Sequence, residues 1–129
     1  MAIIDKIKNL FKKDIKDNLD LISVDSVKSK FEHEDYMGAA KDLKILLEKY
    51  GRRKRKNHRY KGREFVYFIL SNKHKDLKNV GYTHWENINQ FIRLNQEKVY
   101  PYHKNNLQSA IDFFLKEVKG LYEIKVMAE

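Results

Sequence analysis

The chain contains no cysteine, which excludes disulfides, thiolate metal ligands and a thiol nucleophile. A single proline and five glycines leave little loop punctuation in 129 residues, and there is no internal repeat and no low-complexity tract beyond one basic run. No apolar run approaches the roughly 20 residues needed to cross a bilayer. The first residues, MAIIDKIKNLFKK, are broken by Asp5, Lys6 and Lys8 and carry no cleavage site of the secretory kind, so a cytoplasmic protein is expected. A nucleophile-elbow Gly-x-Ser-x-Gly and the phosphate-cradling glycine loops are also missing, which argues against nucleotide-dependent chemistry. The most telling deficit is local: residues 52–63, RRKRKNHRYKGR, hold no acid at all.

Eight of those twelve residues are Lys or Arg. The net charge of +9 comes almost entirely from them, since the 27 basic residues would fall to 19 against 18 acidic ones without the segment. Charge concentrated this way creates a local field able to hold a polyanion, whereas the same surplus spread over a surface mainly aids solubility. Nucleic acid is therefore the expected partner. The binding residues would be Arg52, Arg53, Lys54, Arg55, Lys56, Arg59, Tyr60, Lys61 and Arg63. Guanidinium forks suit phosphate, so backbone contacts should dominate over base reading. His58 and Tyr60 inside the segment, and Tyr100, Tyr102, His103 and Lys104 further on, offer rings on which bases could stack. An acidic protein surface is the competing partner, a membrane the least favoured, and oligomeric state is left open.

Length and a hydrophobic fraction of 42% fit one globular domain. Ile3, Ile4, Ile7, Leu10 and Phe11 alternate at helical spacing with Lys6, Lys8, Lys12 and Lys13, giving an amphipathic helix and connector over 1–24. Packing on the chain's own core, docking on a partner and lying on a membrane all suit such a helix. The remainder, 25–129, reads as a single α+β domain with a basic loop at 51–63. Tyr36, Ala39, Ala40, Leu43, Leu46, Leu47 and Tyr50 make a helical stripe that Gly51 should stop. The continuous apolar run EFVYFIL, 64–70, predicts a buried strand, and 79–83 a second short one. Thr83 and Glu86 have capping-box spacing for a helix carrying Ile88, Phe91, Ile92 and Leu94, which Pro101 should end. Asn105 or Asn106 would cap the next helix, bearing Leu107, Ala110, Ile111, Phe114, Leu115 and Val118. After Gly120, LYEIKV reads as the last strand. The expected fold is thus N-terminal helices followed by a β-β-α-α-β unit with about three strands.

The residues FVYFILSNKHKDLKNVGYT resemble the signature of the GIY-YIG nucleases, over 63–126 of the chain. That family sets two tripeptides on paired strands about ten residues apart; Val66, Tyr67 and Phe68 match the first, and Asn79, Val80 and Gly81 the second. The resemblance implies a metal-dependent endonuclease in which Tyr67, Tyr82 and Arg93 would be catalytic. Asn79 stands where the second tyrosine belongs, with Tyr82 three residues on, and the arginine position falls near Asn89 or Gln90. Asp112 or Glu117 would have to supply the metal carboxylate. Metal-assisted phosphodiester cleavage needs a carboxylate, a phosphate-binding cation and a water-orienting group at one point. Residue spacing presents no such convergence, so no cofactor and no metal site is expected. His33, His84 and His103 read as surface or packing residues, there being no His-x-x-x-His pair. A binding protein without catalysis is the expectation, ahead of a phage or mobile-element interaction protein that inhibits or recruits a nucleic-acid enzyme, and of the nuclease.

Overall fold

The computed structural model describes residues 21–55, 61–94 and 99–127. The expected N-terminal helix lies outside them, as do Lys56, Arg59 and Tyr60. In chain order the elements are β1 (Leu21–Ile22), α1 (Val24–Glu32), α2 (Tyr36–Lys54), α3 (Gly62–Ile69), α4 (Lys75–Arg93), α5 (Pro101–Glu117), a 3-10 turn (Lys119–Glu123) and β2 (Val126–Met127). The α+β unit with three strands is therefore overturned: the described chain is built from helices, and its one sheet is the antiparallel pair β1–β2, with Leu21 opposite Met127 and Ile22 opposite Val126.

Each boundary has a local cause. Ser23 caps α1 through reciprocal bonds with Ser26, whose N–H donates to Ser23 Oγ at 3.3 Å while Ser23 N–H donates to Ser26 Oγ at 2.9 Å. The helix closes in a Schellman turn in which Glu34 N–H donates to the Phe31 carbonyl and Asp35 N–H to that of Lys30. Asp35 then caps α2 by accepting from Gly38 N–H at 3.0 Å. Gly51 does not stop this helix; it is buried in it, and α2 continues through Arg52, Arg53 and Lys54. Three cations in the last turn oppose the negative end of the helix dipole and favour that extension.

The predicted strand 64–70 is α3. Phe65, Val66, Ile69 and Leu70 are buried, which is one helical face, while Tyr67 and Phe68 are half-buried. A continuous apolar run fits a buried strand and a buried helix alike, and here the helical neighbours decide. The second predicted strand falls inside α4, whose buried line Gly81, Trp85, Ile88 and Phe91 has helical spacing. Gly81 is a close-approach position: a Cβ there would lie 2.5 Å from Leu70 Cδ1 and 3.1 Å from Phe113 Cε1. Thr83 caps nothing, donating instead to the Asn79 carbonyl within the helix. Pro101 opens α5 rather than breaking a helix, since the first helical position needs no N–H. Asn105 and Asn106 sit inside α5, beyond its cap at Tyr100. The expected face of α5 is buried as read, while of LYEIKV the first three residues belong to the 3-10 turn and only Val126 to β2.

Helix α2 runs through the centre, with Leu43, Leu46 and Leu47 fully buried against the other helices. Asp42, 4% exposed, ties α1 to α2 by accepting from Ser26 Oγ at 2.8 Å and pairing with Lys30 Nζ at 2.9 Å. α4 and α5 form an antiparallel hairpin: Lys73, just before α4, pairs with Glu117 at the end of α5, and Phe91 near the end of α4 meets His103 at the start of α5. α3 lies on α4 with Phe65 against Trp85, ring centroids 4.9 Å apart. This arrangement brings the end of α2, all of α3 and the first half of α4 to one surface.

Candidate nucleic-acid interface

The basic segment begins as helix rather than loop. Arg52 and Arg53 project from the last turn of α2, where Arg52 lies 4.0 Å from Glu48 one turn back; that exposed pair is worth a few tenths of a kcal/mol, roughly. Arg55 caps the helix and Lys61 precedes α3, both exposed. Gly62 takes φ 56, a left-handed conformation open to glycine at little cost, and so turns the chain into α3. Arg63 follows at once, exposed, with its guanidinium 5.0 Å from the centre of the Tyr82 ring on α4.

Lys54 has a second task. Its ammonium donates to the Phe68 carbonyl at 3.0 Å and to Ser71 Oγ at 2.9 Å, and lies 5.3 Å from the Phe68 ring. The side chain thus satisfies a carbonyl near the end of α3 and ties it to the end of α2. Burial, and secondarily the charge of Lys78, lowers its pKa from the usual lysine value. Lys78, one turn into α4, sits 6.0 Å from the Tyr67 ring, and the Tyr67 hydroxyl donates to the Asn79 side-chain carbonyl. Arg63 with Tyr82, Lys78 with Tyr67, and Lys54 with Phe68 therefore form three cation–ring pairs across the α2–α3–α4 surface.

The two tripeptides of the nuclease resemblance lie on α3 and α4, not on paired strands. Tyr67 and Tyr82 reach the same surface. Arg93 does not: it ends α4, eleven residues beyond Tyr82, which is about 16 Å along the helix axis, and its Nε donates to the Asn89 carbonyl. Asp112 accepts from Gln108, and Glu117 pairs with Lys73. Among the described residues no three His, Asp or Glu side chains gather as a metal site would require. None of the helices is long and apolar enough to cross a membrane, again among the described residues.

The aromatic residues at the start of α5 lie away from the basic segment. Tyr100 and Tyr102 are half exposed and near-parallel, with His103 4.0 Å from the Tyr102 ring, but Lys104 sits over Tyr36 at the opposite end of α2. Nineteen residues of helix, about 27 Å, separate that end from Lys54. A groove beside it is of mixed charge, with Glu32, Glu34 and Asp112 facing Lys28 and Lys104, and lacks the cationic excess of the basic segment. The residues that reading the sequence passed over are Phe68, Lys78 and Asn79 as partners of the basic segment. The i, i+4 spacing of Lys78 and Tyr82 was a usable signal, had 75–93 been read as one helix. His33 Nδ1 lies 2.7 Å from the Ser29 carbonyl, while His84 is packed on Phe113, its buried Nδ1 without a partner.

No known protein family, curated protein or solved structure matches this chain.

Proposed function

We propose that the protein binds nucleic acid through residues 52–63 and the adjoining α3–α4 surface, contacting phosphates and catalysing no reaction. The observation that carries this reading is the continuation of the acid-free basic segment into a surface where Lys54, Arg63 and Lys78 each accompany an aromatic ring. Cations supply sequence-independent affinity for the phosphate backbone, and rings supply faces for bases. An acidic protein would engage the same cations but has little use for the rings. The wide axial separation of Arg93 from Tyr82 supports binding over cleavage, because phosphoryl chemistry needs its groups within reach of one phosphate. A cytoplasmic location accords with this role. The test is oligonucleotide affinity as salt is raised, in the natural chain and in one with Arg52, Arg53, Lys56 and Arg59 changed to Gln. Lys54 is left in place there because it also holds α2 to α3. A parallel incubation with magnesium or manganese should leave single-stranded, duplex and branched DNA uncut.

A further inference from the structure

Arg63, Glu64, Tyr67 and Phe68 line a shallow, open depression of about 560 Å³ on one face of α3. Its lining carries one cation, Arg63, one carboxylate, Glu64, and two rings. Glu64 is exposed at the start of α3 and would repel a phosphate, whereas a carboxylate is a good acceptor for the amino and imino N–H groups on the edge of a base. Two of the four lining residues are aromatic. The Tyr67 hydroxyl is committed to Asn79 and Lys78 Nζ lies 6.0 Å over its ring, so what this half-buried side chain adds to the depression is aromatic surface rather than a free donor. Arg63 on the lining reaches over Tyr82, and two further cations stand near, Lys78 over Tyr67 and Lys54 over Phe68. Rings and an acceptor within, with ammonium and guanidinium groups near, match a nucleotide whose base faces inward and whose flanking phosphates face the rim. A duplex cannot supply that ligand, because its base faces are stacked on one another and only its phosphates and groove edges are exposed.

Building on the proposed nucleic-acid reading, we infer that the Arg63–Glu64–Tyr67–Phe68 depression is a subsite for an unpaired nucleobase, and that the nucleic acid bound is single-stranded. Tyr67 is the stacking surface, Glu64 takes the hydrogens of the base edge, and Arg63 and Lys78 hold the neighbouring phosphates.

The experiment compares labelled single-stranded DNA, single-stranded RNA and duplex of equal length, by fluorescence anisotropy over a series of salt concentrations. The proteins are the full chain, Tyr67→Leu, Tyr67→Phe and the four-site Gln variant. A single strand should bind more tightly than duplex. Tyr67→Leu should weaken single-strand binding by roughly 5- to 150-fold, the factor for one stacked base, with the salt slope and duplex affinity unchanged. Tyr67→Phe should retain binding, since the ring remains. On the unmodified chain, a single strand carrying iodouracil should photocrosslink within α3, an outcome that does not depend on any variant folding. Duplex bound as tightly as single strand, Tyr67→Leu without effect, or crosslinks confined to other elements would overturn the subsite. If the four-site Gln variant still loses affinity in that case, the nucleic-acid reading survives alone; if no oligonucleotide binds the full chain, both fall.

Discussion

Glu34 holds the one left-handed backbone conformation found at a non-glycine among the described residues, with φ 64. It is forced there by the turn between α1 and α2, where its N–H donates to the Phe31 carbonyl at 3.1 Å and the next N–H, of Asp35, to Lys30 at 2.8 Å. Closing α1 in this way requires a left-handed residue, and a Cβ in that conformation costs about 1–2 kcal/mol. Glu34→Gly removes the cost but gives the unfolded chain freedom worth about 0.5–1 kcal/mol. The difference is a net stabilisation of about 0.5–1 kcal/mol, or roughly 2–4 °C in melting temperature for a chain of this size. Glu34→Ala is the necessary control. Glu32 and Asp35 flank the position, so deleting the carboxylate alone relieves some repulsion while the Cβ, and the strain, remain. Urea denaturation of the three proteins, compared at equal slope, separates the terms. Glu34→Gly should be the most stable of the three. A Glu34→Ala protein as stable as Glu34→Gly would refute the conformational argument and assign any gain to charge.

Gly81→Ala should destabilise the protein by up to about 2 kcal/mol in the same assay, because an overpacking cost of about 1–3 kcal/mol against Leu70 and Phe113 outweighs a helix-propensity gain of about 1 kcal/mol; a higher melting temperature would show that α3, α4 and α5 do not meet closely there. His84 predicts a pH dependence. Burial lowers its pKa and its Nδ1 lacks an acceptor for a second proton, so the unfolded chain binds the proton more readily than the folded one. This contribution to stability is complete above about pH 6.5 and is lost as pH falls through the lowered value. His84→Leu, which keeps an apolar contact for Phe113, should flatten the decline in stability between about pH 7 and pH 5, and an unchanged decline would contradict the assignment.

What could be read from the sequence divides along a physical line. The faces of α2 and α5 were legible because Leu43, Leu46 and Leu47, and Ala110, Ile111 and Phe114, recur with the helical period and bury as one stripe. Residues 64–70 were not, since a run with no polar interruption has no period, and whether it becomes strand or helix depends on what packs beside it. A strand at 64–70 invites a second one at 79–83, yet Gly81 within it lies on α4 where Leu70 and Phe113 crowd close. Pro101 misled for a different reason, because proline ends one helix and begins another equally well. The interface was legible in charge but not in shape. Eight cations in one segment are visible in any reading, whereas the meeting of Arg63 with Tyr82 and of Lys78 with Tyr67 follows only from laying α3 on α4. Tyr100 and Tyr102, which the sequence suggests as a loop rich in aromatic and basic groups, cap and open α5 instead, at the end of α2 remote from Lys54.

The central claim is that the charge in 52–63 binds phosphate, and the slope of log affinity against log salt measures it directly. Each phosphate neutralised contributes about 0.7 to that slope on a single strand and about 0.9 on duplex DNA. Changing Arg52, Arg53, Lys56 and Arg59 to Gln should therefore flatten the single-strand slope by up to about 3 and weaken binding at low salt most, while the melting temperature holds. Equal affinity and equal slope in the natural and substituted proteins would contradict the account.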